Sequence, residues 1–318
     1  MIMYESSLPS PTALRRVGLL GRGSYGAVYL AIDDLTHWQV AVKTAHIDYA
    51  CSLEKEKRVY EAFRGYPEFI QCYSDMKTTE RGFKLYNLLL EYAPAGTLAD
   101  LILRTSGGRG MPESDVRIYA RMILRGLHCM HAKGYVHCDL KPLNILAFPS
   151  PDATGCYQLK IADFGLVKEP REEVRRESWK GRFRGTPYYI SPESVAEGMI
   201  SPAMDIWSLG CTVMQMINGG SYPWPGMEQL SPAEYGVLLA SSSLDPMALL
   251  PFMSETGKQF LSICFERDPS KRWSAKMLLR HPYIAGAASE TPRTASAEGD
   301  VDVLPPTLDS LLPRGLLS

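Results

Sequence analysis

Four short stretches of this chain carry residues suited to work on phosphate groups. His137 to Asn144 reads HCDLKPLN and fits all but one position of the pattern H-R-D-L-x-x-x-N, in which the aspartate, Asp139, serves as a base and the asparagine, Asn144, binds magnesium. Its second position is Cys138, where the pattern has arginine. Asp163-Phe164-Gly165 supplies a further carboxylate, Asp163, of the kind that holds Mg2+. Gly21 to Val28, GRGSYGAV, fits G-x-G-x-x-G-x-V. Glycines at 21, 23 and 26 let backbone amides reach a phosphate with no side chain between, and Tyr25 would sit at the tip of the loop. Val40-Ala41-Val42-Lys43 fits V-A-I-K, whose lysine pairs with nucleotide phosphates and with a helix glutamate.

The glycine pattern alone is weak, since it also suits a dinucleotide-binding turn or a hairpin with no ligand. A dinucleotide-binding turn opens a helix, whereas AVYLAI (27–32) after these glycines is strand-like. The glutamate partner of Lys43 must lie on the next helix, where Glu54, Glu56 and Glu61 are candidates. Glu56 is the choice, because it shares a face with Val59, Tyr60 and Phe63. Each motif has a bland reading by itself, but four in this order are not a coincidence.

The elements that must position these residues fall into two groups. AVYLAI and QVAVKTA (39–45) read as strands joined by the polar turn DDLTH, and GFKLYNLLLEYA as a buried strand running into the linker PAGT. SLEKEKRVYEAFRG (52–65) is an amphipathic helix with Leu53, Val59, Tyr60 and Phe63 on one side and Gly65 as its stop. Further on, MPESDVRIYARMILRGLHCMHAKG repeats apolar residues every three or four positions between Pro112 and Gly134. SPAMDIWSLGCTVMQMINGG is apolar over most of its face and predicts a buried helix, and GKQFLSICFERDPSKRWSAKMLLRHPYI predicts two more. A strand-rich segment (about 14–90) and a helix-rich one (about 97–284) thus flank a short connection (about 91–96), with a ligand cleft expected between them. Residues 1–13 read as a flexible tail, and 285–318, rich in Ala, Ser, Pro and acid, as a disordered acidic one.

The 34 basic and 35 acidic residues nearly cancel, so no global field favours nucleic acid or an anionic membrane. No apolar run is long enough for a membrane span, and the N-terminus has neither a secretory pattern nor a glycine at position 2 for myristoylation. Seven scattered cysteines without a C-x-x-C pair argue for a reducing compartment and against a zinc site. The expectation is a cytoplasmic protein, with the nucleus as a second location.

These residues resemble the eukaryotic protein kinases over 14–284, which implies an α+β, bilobal fold: a small β-rich N-lobe with one key helix and a larger helical C-lobe. Further motifs agree. Ser191-Pro192-Glu193 stands where that family has Ala-Pro-Glu, and Arg272 in DPSKRW matches the arginine that pairs with the glutamate, Glu193. Asp205 in DIWSLG matches a buried aspartate that supports the catalytic loop. The resemblance implies ATP and Mg2+ as cofactors, and Gly21, Arg22, Gly23, Ser24, Tyr25, Gly26, Ala27 and Val28 as the loop over the phosphates. It implies Leu90 as gatekeeper and the backbone of Glu91 and Ala93 as the adenine contacts, with Val28, Ala41 and Leu146 sandwiching the ring. In this reading Lys43, Glu56, Asp139 and Lys141 are catalytic, Lys141 neutralises the transferring phosphoryl group, and Asn144 and Asp163 hold metal. Lys141-Pro142 in the loop is similar to the Ser/Thr-specific branch, and Thr186 in GTPYY matches the threonine that in that branch hydrogen-bonds to the Asp139–Lys141 pair. More narrowly, YVHCDLKPLNIL, LEYAPAGTLADLI and ERDPSKRWSAKMLLRHPYI resemble the plant MEKK-like mitogen-activated protein kinase kinase kinases, whose protein substrates are mitogen-activated protein kinase kinases.

Cys138 replaces the arginine that in this family commonly anchors a phosphate on the activation segment, and a thiol makes no bidentate phosphate contact. The expectation is activity that does not depend on activation-loop phosphorylation at Ser178 or Thr186. The segment from Lys168 to Arg184 carries seven basic and four acidic residues, suited to an acidic partner, to internal pairing or to a solvated loop. Cys138 itself reads as a buried small residue rather than a redox switch. His128, Cys129 and His131 sit in an apolar helical pattern and are not assigned a metal. The competing reading is a pseudokinase scaffold, against which the complete lysine and metal motifs weigh; a kinase outside the cascade is a further alternative. A P-loop NTPase is disfavoured because no G-x-x-x-x-G-K-[ST] occurs. VDVLPPTLDSLL (301–312) is a candidate docking segment or a spacer, and Thr291-Pro292 a candidate site for a proline-directed kinase.

Overall fold

A computed structural model describes residues 14–23, 26–107, 110–150, 157–173, 184–221, 230–231, 234, 239 and 253–286. Ser24, Tyr25, Ser178, residues 1–13 and the tail motifs beyond 286 lie outside the described residues. The first lobe is an antiparallel sheet of five strands: β1 (Leu14–Gly23), β2 (Gly26–Asp33), β3 (Gln39–His46), β4 (Cys72–Glu80) and β5 (Phe83–Glu91), in the order β1-β2-β3-β5-β4. Arg81 (φ 50°) and Gly82 (φ 83°) form the two-residue turn between β4 and β5. Two successive positive φ values match the right-handed twist of the flanking strands. The sequence reading named β2, β3 and β5 but not β4, whose alternation is blunted by Asp75, Lys77 and Glu80 at the sheet edge.

Helix α1 (Ala50–Ala62) packs on this sheet through Ala50, Leu53, Val59 and Tyr60, and Glu56 is buried on that same face. The spacing of three explains why a carboxylate lies inside. It occupies a core position of an amphipathic helix.

The second lobe is built on α3 (Glu113–Ala132) and α5 (Pro202–Ile217), in contact with each other, after the short α2 (Leu98–Ser106). Val116, Tyr119, Ile123, Leu127 and Met130 of α3 are all buried, as their spacing predicts, and every α5 residue from Met204 to Met216 is buried. Helix α2, missed in the sequence, starts where the predicted linker ends, at a capping box: Thr97 Oγ1 accepts from the Asp100 N–H, and Asp100 accepts from the Thr97 N–H. The C-terminal stretch forms three helices, Glu255–Cys264, Ala275–Leu278 and Pro282–Ala285, rather than the two expected. Pro282 opens a new helix capped by His281, which splits the second pattern. Helix α4 (Pro192–Glu197) and the hairpin β6 (Ile145–Pro149) and β7 (Tyr157–Ile161) complete the frame. One apolar core runs through both lobes, and Lys160 on β7 pairs with Glu91 at the end of β5 at 2.6 Å, linking them by charge.

Candidate active site

Strand β3 carries Lys43 towards α1, where Nζ donates to Glu56 Oε1 and Oε2 at 2.7 and 2.8 Å. The same ammonium donates to Asp163 Oδ1 at 2.8 Å, so of the three candidate glutamates Glu56 is the partner the fold selects. Burial acts to lower the lysine's pKa, but the two carboxylates outweigh it and hold Nζ protonated. Burial pushes the Glu56 carboxyl up, to about 7, while Lys43 pulls it back. Asp163 is also penalised by burial, yet Lys43 keeps it below its ordinary value.

Asp163 has φ 61°, a left-handed conformation that aims its carboxylate at Lys43. Phe164 next to it is fully buried, 4.8 Å from the Tyr60 ring of α1 and 5.8 Å from His137. At Gly165 an added Cβ would stand 3.1 Å from Glu56 Oε1, a tight contact that would push the carboxylate back by a few tenths of an ångström. Aromatic packing beneath and the ion pair above hold α1 against the motif.

The second cluster is a triangle. Thr186 Oγ1 donates to Asp139 Oδ1 at 2.6 Å and accepts from Lys141 Nζ at 2.6 Å, and Lys141 also donates to Asp139 Oδ2 at 2.9 Å. Asn144 Nδ2 donates to Asp139 O and Oδ2 at 2.8 and 3.0 Å, which turns its amide oxygen away from that carboxylate. His137 fixes the loop from below. Its Nδ1 accepts from the Asp139 N–H at 3.2 Å, which leaves Nε2 as donor to Ala162 O at 3.1 Å.

Asp205, fully buried on α5, accepts from the backbone N–H of His137 at 2.8 Å and of Cys138 at 2.9 Å, and pairs with His131 Nε2 at 2.8 Å. These bonds hold Cys138 at φ 68°, a conformation that costs a non-glycine residue roughly 1–2 kcal/mol. The Cys138 thiol is buried and donates to Val136 O, and burial raises its pKa to about 12, which makes it inert at neutral pH. His131, considered and set aside as a metal ligand, is an Asp205 partner. Glu193 and Arg272 form a buried two-pronged pair at 2.6 and 3.0 Å that ties α4 to the segment after Cys264.

Around the cleft, Gly21, Arg22 and Gly23 end β1 opposite Gly26, Ala27 and Val28. A Cβ on Gly21 or Gly23 would meet no atom within 4 Å, whereas on Gly26 it would fall 1.9 Å from Thr44 O. The described glycines are therefore open at Gly21 and Gly23 and backed by β3 at Gly26, and Val28 pairs with Lys43 on that strand. Ala41 pairs with Leu90, and Val28 and Leu146 pack on the same core; Glu91 ends β5 and Ala93 follows on the connection between lobes. Internal pairing, one of the readings of the segment from Lys168 to Arg184, is realised by Glu172 and Arg184, whereas the contacts of Lys55 and Lys160 were not foreseen, because surface-type charges far apart in sequence carry no signal until the fold joins them.

The comparisons agree with this geometry. The model of the protein kinase domain matches residues 14–284. Mitogen-activated protein kinase kinase kinase 20 of Arabidopsis thaliana is 41% identical over 246 residues, covering 77% of this chain and 69% of its own. Mitogen-activated protein kinase kinase kinases 17 and 18 of the same plant are 34% and 33% identical, covering 84% and 85% of this chain and 68% and 77% of their own. The chain belongs to the protein kinase family and is a serine/threonine protein kinase similar to the plant mitogen-activated protein kinase kinase kinases.

Proposed function

We propose that this kinase transfers the γ-phosphate of Mg·ATP to Ser or Thr of a mitogen-activated protein kinase kinase, with control that needs no phosphate anchor at position 138. The observation that carries the catalytic reading is a pair of polar clusters: Lys43 between Glu56 and Asp163, and Asp139 between Lys141, Thr186 and Asn144. Asn144 and Asp163 would hold Mg2+, which would supply positive charge to neutralise the phosphates. Both residues suit that ion. One offers an amide oxygen and the other a carboxylate with nearly half its side-chain surface open, and two protein ligands are typical where substrate phosphates complete the shell. Lys43 orients the phosphates from β3, and Asp139 positions the substrate hydroxyl and accepts its proton. Lys141 is within reach to offset the charge of the group in transfer.

Two-pronged phosphate binding at position 138 is impossible for a buried, uncharged thiol, which supports the control reading. Thr186 is an unsuitable activating phosphosite, since its hydroxyl already serves Asp139 and Lys141. The names of the relatives support a kinase kinase as substrate. Free cysteines among the described residues support a reducing, cytoplasmic location, with the nucleus as a second. The test is turnover on a panel of catalytically dead kinase kinases, with Asp139→Asn as control. Phosphorylation of one panel member at least a hundredfold faster than by the variant is expected; wild type no faster than the variant would establish a scaffold instead.

A further inference from the structure

The Glu172 carboxylate, on the segment that follows Gly165, is gripped from several directions. Arg184 Nη1 donates to Oε1 at 2.6 Å and Nη2 to Oε2 at 3.4 Å, while Lys55 Nζ and the Glu169 N–H donate to Oε2 at 3.2 and 3.0 Å. Lys55 lies on α1 directly before Glu56, and Arg58 of the same helix bonds Glu169 at 3.0 and 3.3 Å. Arg184 Nη2 also donates to Val167 O at 2.6 Å, beside Lys168, whose backbone exchanges hydrogen bonds with Val136 of the catalytic loop at 3.1 and 2.8 Å. Gly185 lies against Cys138, so that an added Cβ would stand 2.5 Å from the Cys138 carbonyl oxygen. One carboxylate therefore joins α1, the start of the segment after Gly165 and the stretch that carries Thr186.

We propose that Glu172 is a positioning residue which, with Arg184 and Lys55, forms an internal acidic clasp holding α1, and with it Glu56 and Lys43, in the working arrangement without any phosphate. This rests on the phosphate-independent control proposed above and names the groups that supply it. Exposed ion pairs stabilise little, but here the carboxylate side chain is 30% exposed and its cations 19% and 20%, with a guanidinium fork and a backbone donor added. Burial opposes ionisation of Glu172, yet the Arg184, Glu169 and Lys55 hydrogen bonds hold its pKa at about 2. The clasp keeps its charge throughout neutral pH, whereas a phosphate titrates with a second pKa of about 6.

The experiment compares wild type, Glu172→Gln, Lys55→Met and the double variant, all phosphatase-treated. Amide hydrogen exchange of residues 50–62 is followed in the nucleotide-free protein, and kcat and KM for ATP are measured. Wild type should stay active, and Glu172→Gln should exchange at least fivefold faster in α1 and lose tenfold or more in kcat/KM, mainly through KM. The double variant should be no worse than Glu172→Gln. Unchanged exchange and kinetics within twofold in Glu172→Gln, beside an active wild type, overturn the clasp and leave phosphate-independent control standing. A wild type silenced by phosphatase overturns both. If melting curves show that Glu172→Gln does not fold, Lys55→Met decides by the same exchange readout, and unaltered exchange in α1 overturns the proposal.

Discussion

Removing the Thr186 hydroxyl should slow the chemical step while sparing nucleotide binding. Oγ1 makes two bonds to ionised groups, both 2.6 Å, and the side chains of Asp139 and Lys141 are only 10% and 18% exposed. A hydrogen bond to a charged group contributes about 1.5–3 kcal/mol, and water entering an emptied site recovers part of it. Taking the loss at about one such bond, Thr186→Ala should lower kcat by roughly 10- to 150-fold, from a tenfold change per 1.36 kcal/mol. Lys43, Glu56 and Asp163 make none of their bonds to Thr186, so KM for ATP should stay within about twofold. Thr186→Ser keeps the hydroxyl and should stay within about threefold of wild type, whereas Thr186→Asp sets a second carboxylate against Asp139 and should be inactive. Steady-state phosphorylation of a Ser/Thr peptide at saturating Mg·ATP measures all three. A kcat for Thr186→Ala within twofold of wild type, or a loss carried by KM for ATP, would refute the positioning role.

Three further outcomes are expected. The ionised form of Glu56 pairs with Lys43, and because its pKa is raised to about 7 that form is lost as pH falls through about 7; kcat/KM for ATP should show an acid limb there, absent in Glu56→Gln. Arg272→Met leaves Glu193 buried without a partner, which costs about 3–5 kcal/mol and should lower Tm by roughly 6–20 °C, with the Arg272→Met/Glu193→Leu pair recovering part of the loss. Cys138 should resist neutral-pH alkylation in the folded protein and react only after denaturation, as peptide mapping of iodoacetamide-treated enzyme would show.

The sequence was most informative where local pattern and chemistry coincide. Helix α1 could be drawn from Leu53, Val59, Tyr60 and Phe63, and its face then selected Glu56 among three glutamates, as the 2.7 Å bond to Lys43 bears out. Long α3 and α5 were equally legible, because three-to-four-residue spacing or an all-apolar face survives in any context. Strand β4 and the hairpin β6–β7 were not read: five-residue strands leave little period to see, and a polar edge strand lacks an apolar face. The roles of Thr186 and Asp205 came from the resemblance and not from local pattern, since Asp139 and Thr186 are 47 residues apart and Cys138 and Asp205 67.

Asp205 grips the catalytic loop by its backbone, taking the N–H groups of His137 and Cys138 and asking nothing of the side chain at 138. That grip does not depend on the side chain at 138, which is itself buried, bonded to Val136 O and held at φ 68°. On the phosphate-independent control proposed above, a point change at this position would exchange one mode of control for another while Asp139, the next residue, keeps its bonds to Lys141 and Thr186. On that proposal, control and chemistry would be separable although neighbouring residues carry them.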